Sequence, residues 1–224
     1  MDEPESSQPV PTADPKPPAR RTRDAAQTRR AILDAAIAEF AAHGLSGARA
    51  DEIAARTSTT KRMIYYYFAS KERLFAAVLE ELYGGMRDAE AALELDDLPP
   101  ADAMKRLVET TFDHHAAHPE FVRLVAVENI HEARHVAASP TIRARNARVI
   151  ATMTTLLRRG ERAGVFRKGV DPFDLHMLIN GFCFHRVANR HTLGTIFEQD
   201  LTAPRRMAAQ RAMIVQAVLA YLKP

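Results

Sequence analysis

The sequence predicts an all-α protein with a small N-terminal head and a larger helical body, about nine helices in all. Apolar residues recur at spacings of three and four along most of the chain, which is typical of helices with one buried face. Proline stands at or near the start of four predicted helices, at Pro100, Pro119, Pro140 and Pro172. Because no segment shows the period-two alternation of a strand, we expect no β-sheet.

The first 23 residues are predicted to form a disordered tail. Residues 1–18 contain six prolines and almost no large apolar side chains, so burial cannot offset the entropy of ordering them. Arg20, Arg21 and Arg23 end this tail. They suit either a flexible basic arm or an ordinary linker.

Residues 24–70 are predicted to form a compact head of three helices. The first helix starts at Asp24 and ends at His43–Gly44, the second covers 50–56, and the third covers 60–68. The side chains predicted to face the core of the head are Ile32, Leu33, Ala36, Ile37, Phe40, Ile53, Ile64 and Phe68. Three short helices joined by tight turns are typical of a helix-turn-helix unit.

Residues 71–224 are predicted to form the body. Ser70 caps its first helix, which has apolar residues from Leu74 to Leu82 on one side and a candidate bend at Gly84–Gly85. The remaining helices are predicted at about 100–117, 120–137, 141–163, 172–190 and 203–222.

Composition excludes several classes of protein. No apolar run reaches the length of a membrane span, and no apolar signal segment follows the N-terminus, so we expect a cytoplasmic protein with no membrane partner. The single cysteine, Cys183, cannot form an internal disulfide, and a small core residue is a commoner role for it than a redox sensor. Residues 20–73 contain eleven bases against six acids, which suits either a solvated helical surface or a phosphate-binding face.

The third predicted helix has the chemistry of a DNA-binding surface. If Ile64 and Phe68 face inward, then Lys61, Arg62, Tyr65 and Tyr66 lie on exposed flanks. Arg and Lys donate to guanine edges in the major groove, and Tyr hydroxyls donate to phosphates. Lys71, at the start of the next helix, is placed to contact the DNA backbone.

Four blocks of this region resemble the DNA-binding head of the TetR family: TRRAILDAA at 28–36, FAAHG at 40–44, DEIA at 51–54 and IYYYFASKERLF at 64–75. The resemblance implies that Lys61, Arg62 and Tyr66 lie nearest the bases, with Tyr65 and Lys71 on phosphates. Arg29, Arg49 and Thr60 complete the predicted set of DNA contacts.

Two residues depart from the family's pattern. Ser58 stands where a Gly is common in the turn before the recognition helix, and at positive φ this costs about 1 kcal/mol. Asp51 stands at a position that is often basic. Its carboxylate repels phosphate unless it accepts from a cytosine N4 or pairs with Arg49.

Dimerisation is expected because so small a head offers few contacts to DNA, and two copies on a two-fold axis would be needed for specificity. The resemblance implies that the last two helices, at about 172–190 and 203–222, form a four-helix bundle with those of a second copy. Gly181 would permit close approach there. A terminal helix that is merely buried in its own chain is the alternative.

Residues 131–135 match HExxH, a motif in which two histidines one helical turn apart bind zinc and the Glu activates water. The match lies on a predicted helix, but no third ligand is marked by spacing. We therefore expect no metal site and no catalytic residues, and a zinc hydrolase using His131, Glu132 and His135 is the minor alternative.

Polar residues on predicted inward faces of the body are candidates for binding a small-molecule effector. Glu128, His131 and His135 continue the inward side of the helix that begins near 120. They would bond to one another or to His115, or else line a pocket. Phe112, Phe182 and Arg186 are further candidates, and Arg186 and the histidines would suit an acidic effector.

These observations predict a homodimeric DNA-binding regulator of a palindromic operator, without a cofactor or an enzymatic activity. The resemblance implies repression that ends when an effector changes the spacing of the two heads. An architectural DNA-binding protein with no sensor function is the second alternative. An internal cavity of a few hundred Å³ would favour sensing over that alternative.

Overall fold

The computed structural model describes the backbone of residues 19–224 and the side chains of residues 24–224. Over this range the chain is all-α, with eleven helices and no strand, two helices more than predicted. The helices are α1 (Ala19–Gly47), α2 (Ala50–Arg56), α3 (Lys61–Phe68), α4 (Lys71–Ala91), α5 (Pro100–Ala117), α6 (Pro119–Ile130), α7 (Arg134–Ala137), α8 (Pro140–Arg162), α9 (Pro172–Ala188), α10 (Arg190–Ile196) and α11 (Pro204–Leu222). A short 3-10 turn, Leu95–Asp97, joins α4 to α5.

The N-terminal boundary differs from the predicted one. Residues 1–18 of the predicted tail lie outside the described residues, and α1 begins at Ala19 instead of Asp24. Residues 20–23, which were predicted to form a flexible arm, therefore have a helical backbone. The predicted stop at His43–Gly44 is confirmed, because Gly44 has a φ of 68° that interrupts the helix.

The core of the head extends into the body. Ile32 and Phe40 of α1, Ile53 of α2 and Ile64 of α3 are buried in one apolar cluster together with the first two turns of α4. The same cluster includes Leu124 of α6 and Ile142 of α8. The head is thus packed directly onto the body as well as connected to it by the chain.

The second apolar cluster lies deeper in the body. It is formed by the inward faces of α5, α8, α9 and α11, with Phe112, Met153, Ile179 and Val218 among its buried side chains. Cys183 is buried in this cluster. Burial raises the pKa of its thiol to about 12, so the side chain is the small core residue that was the commoner expectation.

The predicted helix at 120–137 is wrong, and with it the expectation that the HExxH match lies on a helix. The helix α6 ends at Ile130, and Glu132 and Ala133 have φ values of 56° and 58°. Because this turn separates His131 from His135, the two histidines are not one helical turn apart. In the described part of the chain, no three or more His, Cys, Asp or Glu side chains are grouped as a metal site would require.

Membrane insertion finds no support in the helices. None of those in the described range is both long and apolar enough to cross a bilayer.

Two histidines of α5 are buried to different degrees, His115 fully and His114 partly, and the exposed His118 follows the helix. His114 and His118 stack with ring centroids 4.2 Å apart, and the Nδ1 of His115 donates to the carbonyl of Thr111 at 2.8 Å. Burial, and after it the proximity of His118 and His115, lowers the pKa of His114 from 6.5 to about 4. The folded protein therefore holds this ring neutral at physiological pH.

Ser58→Gly should raise the free energy of unfolding by up to about 1 kcal/mol, because Ser58 has a φ of 51° and glycine adopts that conformation without steric cost. Chemical denaturation measures the change. As a control of opposite sign, Ala55→Gly on the exposed side of α2 should lower stability by about 1 kcal/mol. A destabilised Ser58→Gly protein would contradict the assigned turn.

Acid should destabilise the fold between about pH 6.5 and 4, because there the unfolded chain binds a proton at residue 114 and the folded chain does not. The shift corresponds to about 3 kcal/mol at most, which solvent screening of a half-buried group reduces to about 1–2 kcal/mol. Denaturation of His114→Gln at several pH values, at fixed protein concentration, should show a correspondingly flatter dependence. The exposed His191→Gln serves as the control, and an unchanged pH dependence for His114→Gln would refute the assignment.

Candidate nucleic-acid interface

The helix α3 is anchored by two buried side chains and one cap. Ile64 and Phe68 face the core of the head, as the sequence predicts. Before the helix, the hydroxyl oxygen of Thr60 accepts from the backbone N–H of Met63 at 3.2 Å. A capped, anchored helix of this kind holds its exposed side chains in a fixed register.

The outward face of α3 is formed by the residues that the sequence placed there. Lys61, Arg62, Tyr65 and Tyr66 are all exposed, and 77% of Tyr66 is accessible against 36% of Tyr65. The third tyrosine, Tyr67, packs instead against the apolar core of the head. This face is chemically able to donate hydrogen bonds to base edges and to phosphates.

Two acidic residues at the start of α2 form ion pairs. The carboxylate of Asp51 lies 3.1 Å from Lys61 Nζ, whereas Arg49 lies 3.7 Å from Glu52. Asp51 thus pairs with Lys61 and not with Arg49, which was one of the two partners considered for it. Since Lys61 begins α3 and Asp51 is near the start of α2, the Asp51–Lys61 contact holds one cation beside the outward face.

Two further predicted contacts flank α3. The guanidinium of Arg29 lies 5.1 Å from the ring centroid of Phe68, and its residue is exposed. Lys71 Nζ donates to the carbonyl of Ser46 at 3.1 Å, so this ammonium group bridges α4 to the end of α1. Arg49 and Thr60 are exposed in the turns that precede α2 and α3. The eight predicted DNA-contact residues therefore lie on α1, on α3, at the start of α4 or in these two turns.

A buried carboxylate that the sequence analysis missed holds the head together. Glu39 is 1% exposed, and its Oε1 accepts from the backbone N–H of Arg49 at 3.1 Å. Its other oxygen lies 3.1 Å from the guanidinium of Arg56. Glu39 thus fixes both ends of α2 relative to α1. The spacing of apolar residues could have predicted that Glu39 is buried, because position 39 is three residues after Ala36 on the inward side of α1.

The predicted effector residues fall into two groups. Glu128 accepts from the backbone N–H groups of His135 and Val136 at 2.7 and 3.0 Å, and its Oε2 pairs with His135 Nδ1 at 2.7 Å. The ring of His135 in turn packs on Phe75 of α4, with centroids 5.1 Å apart. His131 is half-buried, and its ring centroid lies 6.2 Å from that of His135. These contacts lock the turn between α6 and α7.

The second group lies between α5, α9 and α11. The Arg186 guanidinium is 4.4 Å from the ring centroid of Phe112 and donates to Gln210 and to the carbonyl of Leu201, each at 3.0 Å. His115 packs against Phe121, and Phe182 is half-buried beside the core. Across residues 24–224, no hydrogen bond or ring contact joins this group to Glu128, His131 and His135.

A cleft of about 260 Å³ lies between α4, α5 and α8. Three arginines and two acids line it, together with Ala91, Leu107, Val149 and Thr152; the charged residues are Arg87, Arg145, Arg148, Asp88 and Glu90. A second cleft, of about 360 Å³, shares Glu90, Ala91 and Thr152 with the first and extends to Arg159. The sequence analysis missed this site because it ended the apolar side of α4 before Gly84–Gly85, whereas the helix continues to Ala91. The spacing of Arg87 and Glu90 at i and i+3 was the signal that could have indicated it.

Large apolar side chains are exposed on the C-terminal helices. Seven lie between residues 172 and 222, namely Phe173, Met177, Leu178, Ile196, Phe197, Met213 and Tyr221. Gly181 faces open space, since a Cβ placed there would meet no atom within 4 Å. Large exposed apolar side chains, when they form one contiguous patch, are typical of interaction surfaces.

Two family descriptions match the chain on consecutive parts. Residues 32–78, which span most of the head and the start of α4, match the bacterial regulatory proteins of the tetR family. Residues 100–218 match the tetracyclin repressor-like C-terminal domain.

Relatives extend the match over most of the chain. The HTH-type transcriptional repressor NicS of Pseudomonas putida is 36% identical over 181 residues, which are 81% of this chain and 85% of the relative. The repressor SCO4008 of Streptomyces coelicolor is 34% identical over 70% of this chain and 77% of its own length. The structure of the transcriptional regulator SCO4942 of Streptomyces coelicolor superposes with a TM-score of 0.66 at 32% identity, covering 88% of this chain and 99% of that one.

Regulators of this family bind DNA operators and small-molecule effectors and act as dimers. The zinc-hydrolase and architectural alternatives find no support among these relatives. With an outward helix of the predicted chemistry and matches along nearly its whole described length, this chain belongs to the TetR family of helix-turn-helix transcriptional regulators.

Proposed function

We propose that the protein is a cytoplasmic repressor that binds a palindromic operator as a homodimer and releases it when an effector occupies the body. In this proposal residues 24–70 bind DNA, and residues 71–224 bind the effector and form the dimer. The observation that carries it is the orientation of α3, since Ile64 and Phe68 are buried while Lys61, Arg62, Tyr65 and Tyr66 face outward.

We propose distinct roles for these side chains on DNA. Lys61, Arg62 and Tyr66 reach base edges, because they lie on the outward face of a helix short enough to enter the major groove. Tyr65 and Lys71 contact phosphates and position the head, with Arg29, Arg49 and Thr60 at its periphery. Asp51 competes with DNA for the Lys61 ammonium, because its carboxylate lies 3.1 Å from Lys61 Nζ. A contact between Lys61 and a base would therefore replace or share this ion pair.

We propose that the second copy packs on α9 and α11. Phe173, Met177 and Gly181 recur every four residues on one exposed side of α9, and Met213 and Tyr221 lie on the exposed side of α11. A four-helix bundle formed by two such pairs would bury these side chains. It would also place two heads on a two-fold axis, as half-sites about 34 Å apart on B-DNA require.

The cleft between α4, α5 and α8 is the proposed effector site. Its volume of about 260 Å³ is large enough for a small ligand and supports a sensor over an architectural protein, although the cleft opens to the surface instead of forming an internal cavity. The seven effector residues suggested by the sequence remain a prediction. Glu128, His135 and Arg186 among them already have hydrogen-bond partners within the protein.

The helix α4 is the proposed link between the cleft and the head. Near the C-terminal end of α4, Arg87 lines the cleft. Near the N-terminal end of the same helix, Phe75 packs edge-on against Phe40 of the head, with ring centroids 5.2 Å apart. A helix moves as a stiff element, so a displacement of α4 at the cleft changes the position of the head.

Substitutions on the DNA-binding face should separate into two classes. Lys61→Ala or Arg62→Ala should relax sequence preference at one base pair by about 1–3 kcal/mol, because a base contact is lost. Lys71→Ala should weaken binding to all DNA alike and reduce the salt dependence by about one counterion, whereas Tyr65→Phe should weaken all DNA without that change in slope. The measurement is a titration at two salt concentrations, with DNA selected from a random library by the wild-type protein and with unselected DNA.

Lys105→Ala, which removes an exposed lysine of α5 in the body, is the control and should leave both affinities unchanged. Identical behaviour of the base-contact and phosphate-contact classes would refute the assigned roles. Failure of the wild-type protein to select any sequence would refute operator binding itself.

Met177→Asp should dissociate the dimer, because an unpaired carboxylate in the bundle costs several kcal/mol. Analytical ultracentrifugation should give a monomer at micromolar concentrations, with helical content unchanged by circular dichroism and with affinity for selected DNA reduced at least about tenfold. The matched control is Ile130→Asp, which changes a more exposed apolar residue of α6 outside the proposed bundle. A Met177→Asp protein that stays dimeric would show that α9 is not the interface.

A further inference from the structure

The cleft between α4, α5 and α8 has an excess of positive charge. Arg87, Arg145 and Arg148 line it against two acids, Asp88 and Glu90, which leaves an excess of about one positive charge along the cleft. A small ligand with a single negative charge would balance that excess.

Arg87 lies at the inner end of this cleft with unused donors. Its side chain is 11% exposed, and Nη1 lies 2.8 Å from Glu90 Oε2. That contact lacks the geometry of a hydrogen bond, and both Nε and Nη1 are buried without an acceptor among the described residues. Burial lowers the pKa of Arg87 and raises that of Glu90, so each group of the pair is poorly solvated. Buried donors without acceptors destabilise the folded protein, and an acceptor bound in the cleft would recover that free energy.

The guanidinium of Arg145 packs against α4 at Gly84, where the lack of a side chain leaves space for it. A Cβ at Gly84 would overlap its guanidinium, whereas a Cβ at Gly85 would meet nothing within 4 Å. The buried Gly84 therefore admits the Arg145 guanidinium to the surface of α4. Arg148 follows at i+3 on α8, and neither arginine has a carboxylate within 4 Å in the described part of the chain.

The uncharged residues that line the cleft indicate the chemistry of the part of the ligand beyond its anionic group. Leu107 and Val149 are buried apolar walls, and Thr152 supplies a hydroxyl. A mixed wall of this kind fits a short apolar body attached to the anionic group. The one-charge excess favours a carboxylate over a phosphate dianion.

We propose that this cleft binds a small organic carboxylate, and that Arg87, Arg145 and Arg148 hold its carboxylate group between α4 and α8. The inference rests on the proposed function, since the carboxylate is the class of effector that the repressor senses. Arginine pairs carboxylates through two parallel N–H donors, so the ligand would bridge two helices that no direct ion pair joins here. Bridging would draw α8 toward the helix that supports the head.

The test is calorimetric titration of the full-length dimer with benzoate and with benzamide, its uncharged analogue of the same shape. Benzoate should bind at least about tenfold more tightly than benzamide, which is about 1.4 kcal/mol. Inorganic phosphate is the third probe and should bind more weakly than benzoate. Equal binding of benzoate and benzamide, no binding of benzoate, or tighter binding of phosphate would each overturn the proposal.

Two adjacent glycine variants locate the site. Gly84→Ala should weaken benzoate binding at least about fivefold by displacing Arg145, while its fold is retained because alanine is the better helix former. Gly85→Ala makes the same substitution one residue on, where space is open, and should bind benzoate like the wild type. Equal affinities of Gly84→Ala and wild type would overturn the role of Arg145.

A separate titration of the protein with selected DNA, in the absence of benzoate, benzamide and phosphate, distinguishes failure of this inference from failure of the proposed function. Both glycine variants should bind that DNA, because neither residue lies in the head. Intact DNA binding together with absent benzoate binding overturns only the carboxylate site. Loss of selective DNA binding by the wild type would refute the repressor, whatever the benzoate titration shows.

Discussion

The packing of Phe75 joins the two parts of this protein. Its ring is fully buried, with Phe40 of the head on one side at 5.2 Å and His135 of the body on the other at 5.1 Å, both edge-on. Aromatic edge contacts of this kind add about 0.5–1.5 kcal/mol to the burial itself. Because Glu128 holds His135 and the turn between α6 and α7, the position of the head depends on that turn as well as on α4.

The head achieves its geometry with few residues. Glu39 fixes α2 to α1 through a buried carboxylate, and Ile64 and Phe68 fix α3. A buried carboxylate is stable only with partners, here the Arg49 N–H and the Arg56 guanidinium. Because Ile64 and Phe68 anchor α3, its outward side chains are not needed in the core of the head and are accessible to a partner.

The body contains the least compensated polar group in the described chain. Arg87 has buried donors without acceptors, and α4 bears both this residue and, about three turns earlier, Phe75. Among the described residues, only Glu39 Oε2 in the head and these two Arg87 nitrogens are buried side-chain polar atoms without a hydrogen-bond partner, and groups of this kind can mark a place where stability is exchanged for binding. The same helix therefore connects the proposed effector cleft to the packing that orients the head.

The sequence alone determined the helical class, the three-helix head and the outward face of α3, because these follow from local periodicity, caps and residue chemistry. Ser58 at positive φ was likewise a local property. The tertiary structure decided the rest. The turn at Glu132–Ala133, the pairing of Asp51 with Lys61 and the seating of Arg145 over Gly84 depend on which helices meet, and contacts between residues distant in sequence leave no periodic signal.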